Sequence, residues 1–367
     1  MLKFPTNQID DPAFLLTPDS SARPAAQIFK LDPLHDARWS DFVDRTKGSS
    51  IFHTREWLKA LQQTFGYEPV VFTTSRPGEE LRNSLQFCYV NSWLTGNRLV
   101  SLPFSDHCQP LGSAKDVSEL LRGAVALADS KIKYIEVRPL TGEVQNPFRE
   151  AEAFWLHRLD LRPDLVELHR CLHKSSIQRT IKRAQRRRIE IDQGREERHV
   201  KQFYRLFVLT RRRFHLPPQP FRWFRNLVGC LGEKLQISIA SLNERPIAAI
   251  ITLKHKNVVT YKYGASDSQF HSFGAVSLLF WNAICEAKQE GAEEFDFGRT
   301  AIENRGLATF KKRWGSDASE LLYWRCGKLG HHKWESRPAI SYIKRCVKYL
   351  PDPVLIGVGN LLYRHIG

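Results

Sequence analysis

Residues 258–323 contain the pattern that most constrains the fold. Residues 258–266 are rich in β-branched and aromatic side chains, which predicts a strand. The apolar run 276–287 follows with apolar side chains at helical spacing on more than one face, which is typical of a helix lying against a sheet. Gly291 then ends the helix, and residues 294–298 alternate aromatic with acidic or small side chains, as in a second strand. The segment therefore predicts a β–α–β unit.

The loop before the apolar helix suits a phosphate group. Because the first N–H groups of a helix are unpaired and its dipole is positive at that end, an anion such as a pyrophosphate can bind there. The residues predicted to bind a cosubstrate at this loop are Gln269, Ser272, Gly274 and Ala275.

A second helix is predicted after Gly306, and it places a lysine on an apolar face. Leu307, Phe310, Lys311 and Trp314 have the spacing i, i+3, i+4 and i+7, so they share one side of that helix. A cation on such a face is unfavourable unless it is paired or used. Lys311 either reaches past Trp314 to water or has a function.

These features together resemble the second domain of the FemAB-like transferases. That family belongs to the GNAT-fold acyltransferases and includes the aminoacyl-tRNA-dependent enzymes of peptidoglycan bridge formation. The resemblance covers residues 165–325 well and 50–140 loosely. The segments that carry it are Tyr263-Gly264-Ala265, Gly274, Leu278-Leu279-Phe280-Trp281, Phe295-Asp296-Phe297-Gly298-Arg299, Gly306-Leu307, Phe310-Lys311 and Trp314-Gly315.

The resemblance implies an α+β fold with two tandem GNAT-like domains, each a mixed, mostly antiparallel sheet flanked by helices. A chain of 367 residues is long enough for two cores. The expected organisation is an irregular lead-in over 1–27, an N-terminal GNAT-like domain over 28–165, a C-terminal GNAT-like domain with the main motif over 166–330, and an amphipathic helical tail over 331–367.

The resemblance also implies transfer of an acyl group to an amine, with Lys311 in catalysis because it is the lysine of the family's Phe–Lys pair. Asp296 is expected either to accept a proton from the amine or to pair with Arg299. Tyr263 is expected either to protonate the leaving group or to pack in the core. The substrate-binding residues are expected to be Phe310, Arg299, Trp314, His107 and Asp106, the last two in a loop that lines an interdomain cleft.

The sequence leaves the acyl donor open between acyl-CoA and aminoacyl-tRNA, and no tightly bound cofactor is expected. Acetyl-CoA enzymes of this fold have a glycine where this chain has Ser272, which disfavours CoA. Some relatives that use tRNA carry a long inserted arm, and residues 200–240 contain none, which disfavours tRNA. The acceptor is expected to be an amine-bearing glycan or peptidoglycan-type precursor, of the cell envelope or of an exopolysaccharide.

The formal net charge of +16 favours an anionic partner. A basic helix is predicted to bind a polyanion, either RNA or an anionic membrane surface, unless it is simply a solvated face. Its residues are Arg179, Arg183, Arg186 and Arg187. The tail from residue 338 either lies on a membrane or packs on the protein. The alternative function is therefore a non-catalytic basic protein that binds an anionic glycan, a lipid surface or RNA.

The cysteines and the N-terminus favour the cytoplasm, with a peripheral position on the inner face of the membrane as an option. The seven cysteines are scattered, odd in number and form no CxxC pair. The first residues lack the apolar run of a signal peptide. Cys326, His331 and His332 match no zinc-binding spacing, so no metal is expected.

Overall fold

The computed structural model describes residues 27–327 and 350–366. The strands in chain order are β1 (Phe29–Leu31), β2 (Glu68–Thr73), β3 (Leu85–Val90), β4 (Arg98–Val100), β5 (Tyr134–Val137), β6 (Arg149–Asp160), β7 (Glu190–Gly194), β8 (Leu235–Leu242), β9 (Arg245–His255), β10 (Val258–Ser266), β11 (Glu294–Ala301) and β12 (Asp317–Gly327). The helices are α1 (Arg38–Arg45), α2 (Arg55–Phe65), α3 (Ala114–Ala126), α4 (Leu165–Cys171), α5 (Arg179–Arg186), α6 (Glu197–Arg213), α7 (Phe221–Leu231), α8 (Ala275–Gln289), α9 (Arg305–Lys312) and α10 (Asp352–Ile366).

The strands form one 12-stranded sheet in the order β1-β2-β3-β4-β5-β12-β6-β11-β10-β9-β8-β7. Neighbours are antiparallel except β4–β5 and β10–β11, the parallel pairs connected through α3 and α8. Each half of the sheet thus repeats one arrangement, which confirms the predicted α+β fold with tandem GNAT-like units.

The halves exchange strands at the centre of the sheet. β12, from the end of the second half, lies between β5 and β6, and β6 pairs with β11. β6 ends at Asp160 and α4 begins at Leu165. The chain therefore passes from one half to the other close to residue 165, and the domain limits remain a prediction.

Both faces of the second half of the sheet are covered by helices. Residues 247–253 of β9 are almost entirely apolar and buried, as expected for a strand covered on both faces. Ala249, Ile251 and Leu253 pack in a cluster with residues of α2, α6 and α7. Ala248 and Ile250 pack in a second cluster with residues of α5 and α8. Because α2 belongs to the first half, the first cluster also joins the halves.

The C-terminal helix α10 packs on the protein. Leu355 and Tyr363 are buried in the cluster that joins the halves. The Tyr67 hydroxyl donates hydrogen bonds to the carbonyls of Tyr363 and Arg364, at 3.0 and 3.1 Å. For residues 352–366 the packing alternative therefore holds. Residues 331–349 of the predicted tail lie outside the described residues, as does the lead-in up to residue 26. No helix in the described ranges is long and apolar enough to cross a bilayer.

Candidate functional site

The parallel strands β10 and β11 separate near their middles. They pair only where residues 258–260 face 294–296, and beyond that point β10 continues beside β9 and β11 beside β6. Both strands have an irregular register just past the last pair, between Tyr261 and Tyr263 and between Asp296 and Arg299. Such bulges redirect side chains. We call this point the strand split.

A loop from the first half reaches the strand split and places Asp106 there. The Asp106 carboxylate lies 3.1 Å from Nζ of Lys262 and 3.7 Å from Nε of Arg299. The Tyr323 hydroxyl donates a 2.6 Å hydrogen bond to the backbone carbonyl of Asp106 and accepts one of 2.7 Å from Arg299. Burial acts to raise the pKa of Asp106, but the charges of Lys262 and Arg299 outweigh burial and lower it, so the carboxylate is ionised.

Arg138 holds this loop in place. Its Nη1 donates hydrogen bonds to the carbonyls of Leu102 and Ser105, at 2.7 and 3.2 Å. Its Nε donates one of 2.8 Å to the carboxylate of Glu136, which is also buried. The position of Asp106 therefore depends on a charge pair inside the first half.

Asp296 pairs with His107 of the same loop, and Arg299 faces Asp106. The expectation that Asp296 pairs with Arg299 is therefore wrong. Oδ1 of Asp296 accepts a 2.7 Å hydrogen bond from the backbone N–H of Gly298, and Oδ2 lies 3.3 Å from Nε2 of His107. Nδ1 of His107 is buried without a hydrogen-bond partner. The carboxylate thus orients the imidazole through one nitrogen and leaves the other available.

Lys311 is buried, with 3% of its surface exposed, so it does not reach past Trp314 to water. Its Nζ donates hydrogen bonds to the carbonyls of Gly298 and Arg299, at 2.7 and 3.0 Å. Burial lowers the pKa of Lys311 to about 8, against the opposing effect of Asp106 and Asp296. The ammonium therefore lies directly against the β11 bulge.

Glycine is required at position 298. Its φ is +72°, a left-handed conformation, and an added Cβ would lie 3.1 Å from Oδ2 of Asp106. The Asp106 loop therefore approaches β11 closely because no side chain stands in its way.

The remaining predicted catalytic and substrate-binding residues lie in apolar surroundings. The Tyr263 hydroxyl accepts a 2.8 Å hydrogen bond from Nε1 of Trp223, and burial raises the pKa of Tyr263 above its ordinary value. Trp314 is fully buried against Phe280, and Phe310 is partly buried beside it. Tyr263 and Trp314 therefore contribute mainly packing.

Helix α5 covers the predicted phosphate loop. Gln269 and Ser272 are exposed, whereas Gly274 and Ala275 are buried. A Cβ at Gly274, whose φ is +83°, would lie 2.5 Å from the carbonyl oxygen of Thr180 in α5. The structure therefore brings these four residues together in one turn but does not leave the start of α8 open.

The four arginines of the predicted polyanion site, Arg179, Arg183, Arg186 and Arg187, are all exposed, the first three on α5 and the last directly after it. Two of them also fix the phosphate loop. Arg183 donates a 2.8 Å hydrogen bond to the Ser272 carbonyl, and the Arg187 guanidinium lies 4.0 Å from the centre of the Phe273 ring. Part of this basic surface is thus structural.

Sequence reasoning missed Lys262 and Tyr323. A signal for Lys262 existed, since it is a lone cation between two tyrosines in an otherwise uncharged strand. Tyr323 had none, because it comes from a strand whose place in the sheet the sequence does not reveal. Within the part of the chain that the structure describes, no group of three or more His, Cys, Asp or Glu residues is arranged to hold a metal; His331 and His332 lie outside it.

Residues 173–312 match the family model of an acetyltransferase (GNAT) domain. Among solved structures, FemX is similar with 14% sequence identity and a TM-score of 0.63, covering 81% of this chain and 96% of FemX. L-PGS from Bacillus licheniformis is 11% identical with a TM-score of 0.52, covering 86% of this chain and 97% of L-PGS. A tandem GNAT protein from the clavulanic acid biosynthesis pathway is 9% identical with a TM-score of 0.50, covering 82% and 98%.

No curated protein matches the sequence at a significant level. The structural similarities nevertheless confirm, for the fold, the resemblance to the FemAB-like members of the GNAT class.

Proposed function

Because the chain has a tandem GNAT fold and resembles the FemAB-like transferases, we propose that it is an N-acyltransferase that moves an acyl or aminoacyl group onto an amine. A fold alone does not determine a reaction. The observation that carries the proposal is the set of ionisable side chains from both halves at the strand split, which are buried or largely buried except for Arg299, whose side chain is 33% exposed. We call this set the charged cluster; its members are Asp106, His107, Lys262, Asp296, Arg299 and Lys311.

The pair formed by His107 and Asp296 supplies a proton acceptor. An amine attacks a carbonyl only in its neutral form, so a base must take its proton. With Nε2 of His107 oriented by the Asp296 carboxylate, the unpartnered Nδ1 is the nitrogen that accepts this proton. Asp296 therefore acts through His107.

The cations of the charged cluster favour the oxyanion that forms as the amine attacks. Lys262, Arg299 and Lys311 outnumber the two carboxylates of Asp106 and Asp296, so the charged cluster has a net positive charge. A preorganised positive charge in a buried site stabilises developing negative charge. Lys311 contributes its positive charge from behind the β11 bulge, because a pKa of about 8 keeps it mostly protonated at neutral pH. Phe310, beside Lys311 in sequence, would line the substrate's path.

The match to an acetyltransferase domain supports acyl-CoA as the donor, with aminoacyl-tRNA as the alternative. Contact between a pyrophosphate and the backbone of Gly274 and Ala275 requires α5 to shift, because α5 covers the start of α8. The resemblance to FemAB-like enzymes supports an amine-bearing glycan or peptidoglycan-type precursor as the acceptor. We place the protein in the cytoplasm, with a peripheral position on the inner face of the membrane as the alternative.

The rival function is non-catalytic binding of a polyanion, which the exposed arginines of α5 favour. A triple charge reversal of Arg179, Lys182 and Arg186 tests it, since these three side chains are exposed. Arg183 and Arg187 are left unchanged because they fix the phosphate loop. If the protein only binds a polyanion, the triple variant should lose that binding and Lys311→Met should keep it.

The proposal is tested by measuring acyl transfer from acetyl-CoA and from aminoacyl-tRNA to amino-sugar acceptors. Mass spectrometry of small molecules that copurify with the protein directs the choice of donor. Lys311→Met and His107→Gln should each lose most turnover while keeping the circular dichroism spectrum of the wild type. Wild-type turnover in both variants, or transfer from neither donor, contradicts the proposal.

A further inference from the structure

A surface pocket of about 700 Å3 lies between helix α9, the loop before it and strand β6. It is separate from the charged cluster, none of whose residues line it. Its lining residues are Trp155, Ile302, Glu303, Arg305, Ala308, Thr309 and Lys312.

Two cations face this pocket from the same side of α9. Arg305 and Lys312 are seven residues apart, which is close to two full helical turns. Both side chains are exposed, and neither has an ion pair within residues 27–327 and 350–366. Glu303 is the acidic side chain of the lining and has interactions of its own. The lining therefore carries more positive than negative charge.

Buried polar groups without partners lie next to Trp155 in the sheet, although they do not line the pocket. Trp155 lines the pocket and is 36% exposed. Thr300 of β11 is its register partner, and His157 lies two residues further along β6, so both side chains project from the same face of the sheet as Trp155. Neither ring nitrogen of His157 has a hydrogen-bond partner, and neither does Oγ1 of Thr300.

Such groups are rare in folded proteins, because a buried polar atom without a partner is unfavourable. His157 is fully buried, and Thr300 is 2% exposed. Burial, followed by the charges of Lys311 and Lys312, lowers the pKa of His157 to about 4. The imidazole is therefore neutral at physiological pH and has one N–H to donate and one nitrogen that accepts.

We propose that this pocket binds an anionic oxygen group, a phosphate or a carboxylate, through Arg305 and Lys312. Trp155 packs against the molecule that carries it. His157 and Thr300 are covered, so binding shifts the short helix α9 away from β6, and the two side chains then donate hydrogen bonds to the bound group. The arrangement combines a charged rim with hydrogen-bond donors below it, which is the combination that anionic oxygen atoms require. The proposal goes beyond acyl transfer and does not depend on it.

The test titrates the full chain, labelled with [15N]histidine, with inorganic phosphate or acetate at constant ionic strength in chloride. Imidazole NMR signals are followed, and His157 is assigned from the signal lost in His157→Phe. We expect saturable binding that shifts the His157 signal. Because a hydrogen bond to a charged group contributes enough to change affinity about tenfold, Arg305→Ala/Lys312→Ala should weaken binding at least about tenfold.

The matched control is Arg122→Ala/Lys131→Ala, which removes the same charge from exposed positions of the first half, outside any proposed binding surface, and should leave the affinity unchanged. His157→Phe should also weaken binding, measured by calorimetry, without lowering the melting temperature, since the ring nitrogens it removes are unpartnered. The tighter of the two probes identifies the group that the pocket prefers. No saturable binding, equal losses in the two double variants, or unchanged binding in His157→Phe would overturn the proposal.

Discussion

Lys262→Met should destabilise the protein by removing one partner of the ion pair that connects the two halves. The pair is buried, with side-chain exposures of 6% for Lys262 and 14% for Asp106. Breaking a buried pair by deleting one partner costs about 3–5 kcal/mol. Because Arg299 remains 3.7 Å from the Asp106 carboxylate, we expect a loss near the lower limit, about 3 kcal/mol. Methionine retains the apolar stem beside the Phe52 ring, so the change isolates the charge.

The measurement is urea unfolding of the single variants Lys262→Met and Asp106→Asn and of the double variant. Coupling should make the double variant more stable than the sum of the single losses predicts, by about 1–3 kcal/mol. The pKa of Asp106 is lowered in the folded state, so the contribution of this carboxylate is complete above the ordinary pKa of about 3.9 and is lost as pH falls through the lower folded value. The difference between wild type and Lys262→Met should therefore shrink below about pH 4.

Lys254→Met is the matched control, because Lys254 forms a 2.6 Å pair with Glu290 at the surface, where the side chains are 40% and 57% exposed. An exposed pair of this kind contributes about 0–1 kcal/mol. A loss in Lys262→Met no larger than that of the control, or additive losses in the double variant, would refute the assignment of Lys262–Asp106 as a stabilising ion pair between the halves.

Three further changes test the backbone conformation, the lysine pKa and the helix packing around the site. Gly298→Ala should lose about 1–2 kcal/mol of stability from the left-handed backbone conformation and a further amount from a clash with the Asp106 loop. Gly291→Ala is the control, because its φ is +79° and nothing lies within 4 Å of an added Cβ, so its melting temperature should reflect the backbone cost alone. In the wild type, the unfolding free energy should rise by roughly 3 kcal/mol from pH 8 to 10.5, because over this range the lysine is protonated in the unfolded chain and neutral in the folded one. Lys311→Met should lack this rise, and an equal rise in the variant contradicts the pKa assignment. Gly274→Ala should displace α5 from the start of α8 and speed amide exchange in α5; unchanged exchange would contradict that packing.

The local features of the second half were predictable from sequence because they depend on neighbours in the chain. Residues 258–266 and 294–298 are strands with an apolar helix between them, as their periodicity indicated. Lys311 was recognised as a cation on an apolar face, and it is buried. The glycine at position 274 begins α8, as expected.

The arrangement of the charged cluster was not predictable, because it depends on contacts between distant residues. Pairing with Arg299, three residues away, was one of two roles expected for Asp296, but the bulge between them sends the two side chains to different partners. The position of a bulge follows from the packing of the whole sheet. The pairing of Asp106 with Lys262, 156 residues away, leaves no periodic signal in either segment.

The exchange of β6 and β12 explains why the site belongs to both halves at once. Tyr323, which fixes Asp106, lies on β12, and β12 is hydrogen-bonded to β5 and β6 along its length. Opening the boundary between the halves would therefore break the central ladders of the sheet as well as the ion pairs of the charged cluster. The halves do not meet at an ordinary domain interface across which they could hinge. Movement that admits a substrate must then come from elements outside these ladders, and the loop that carries Asp106 and His107 is the one that enters the strand split.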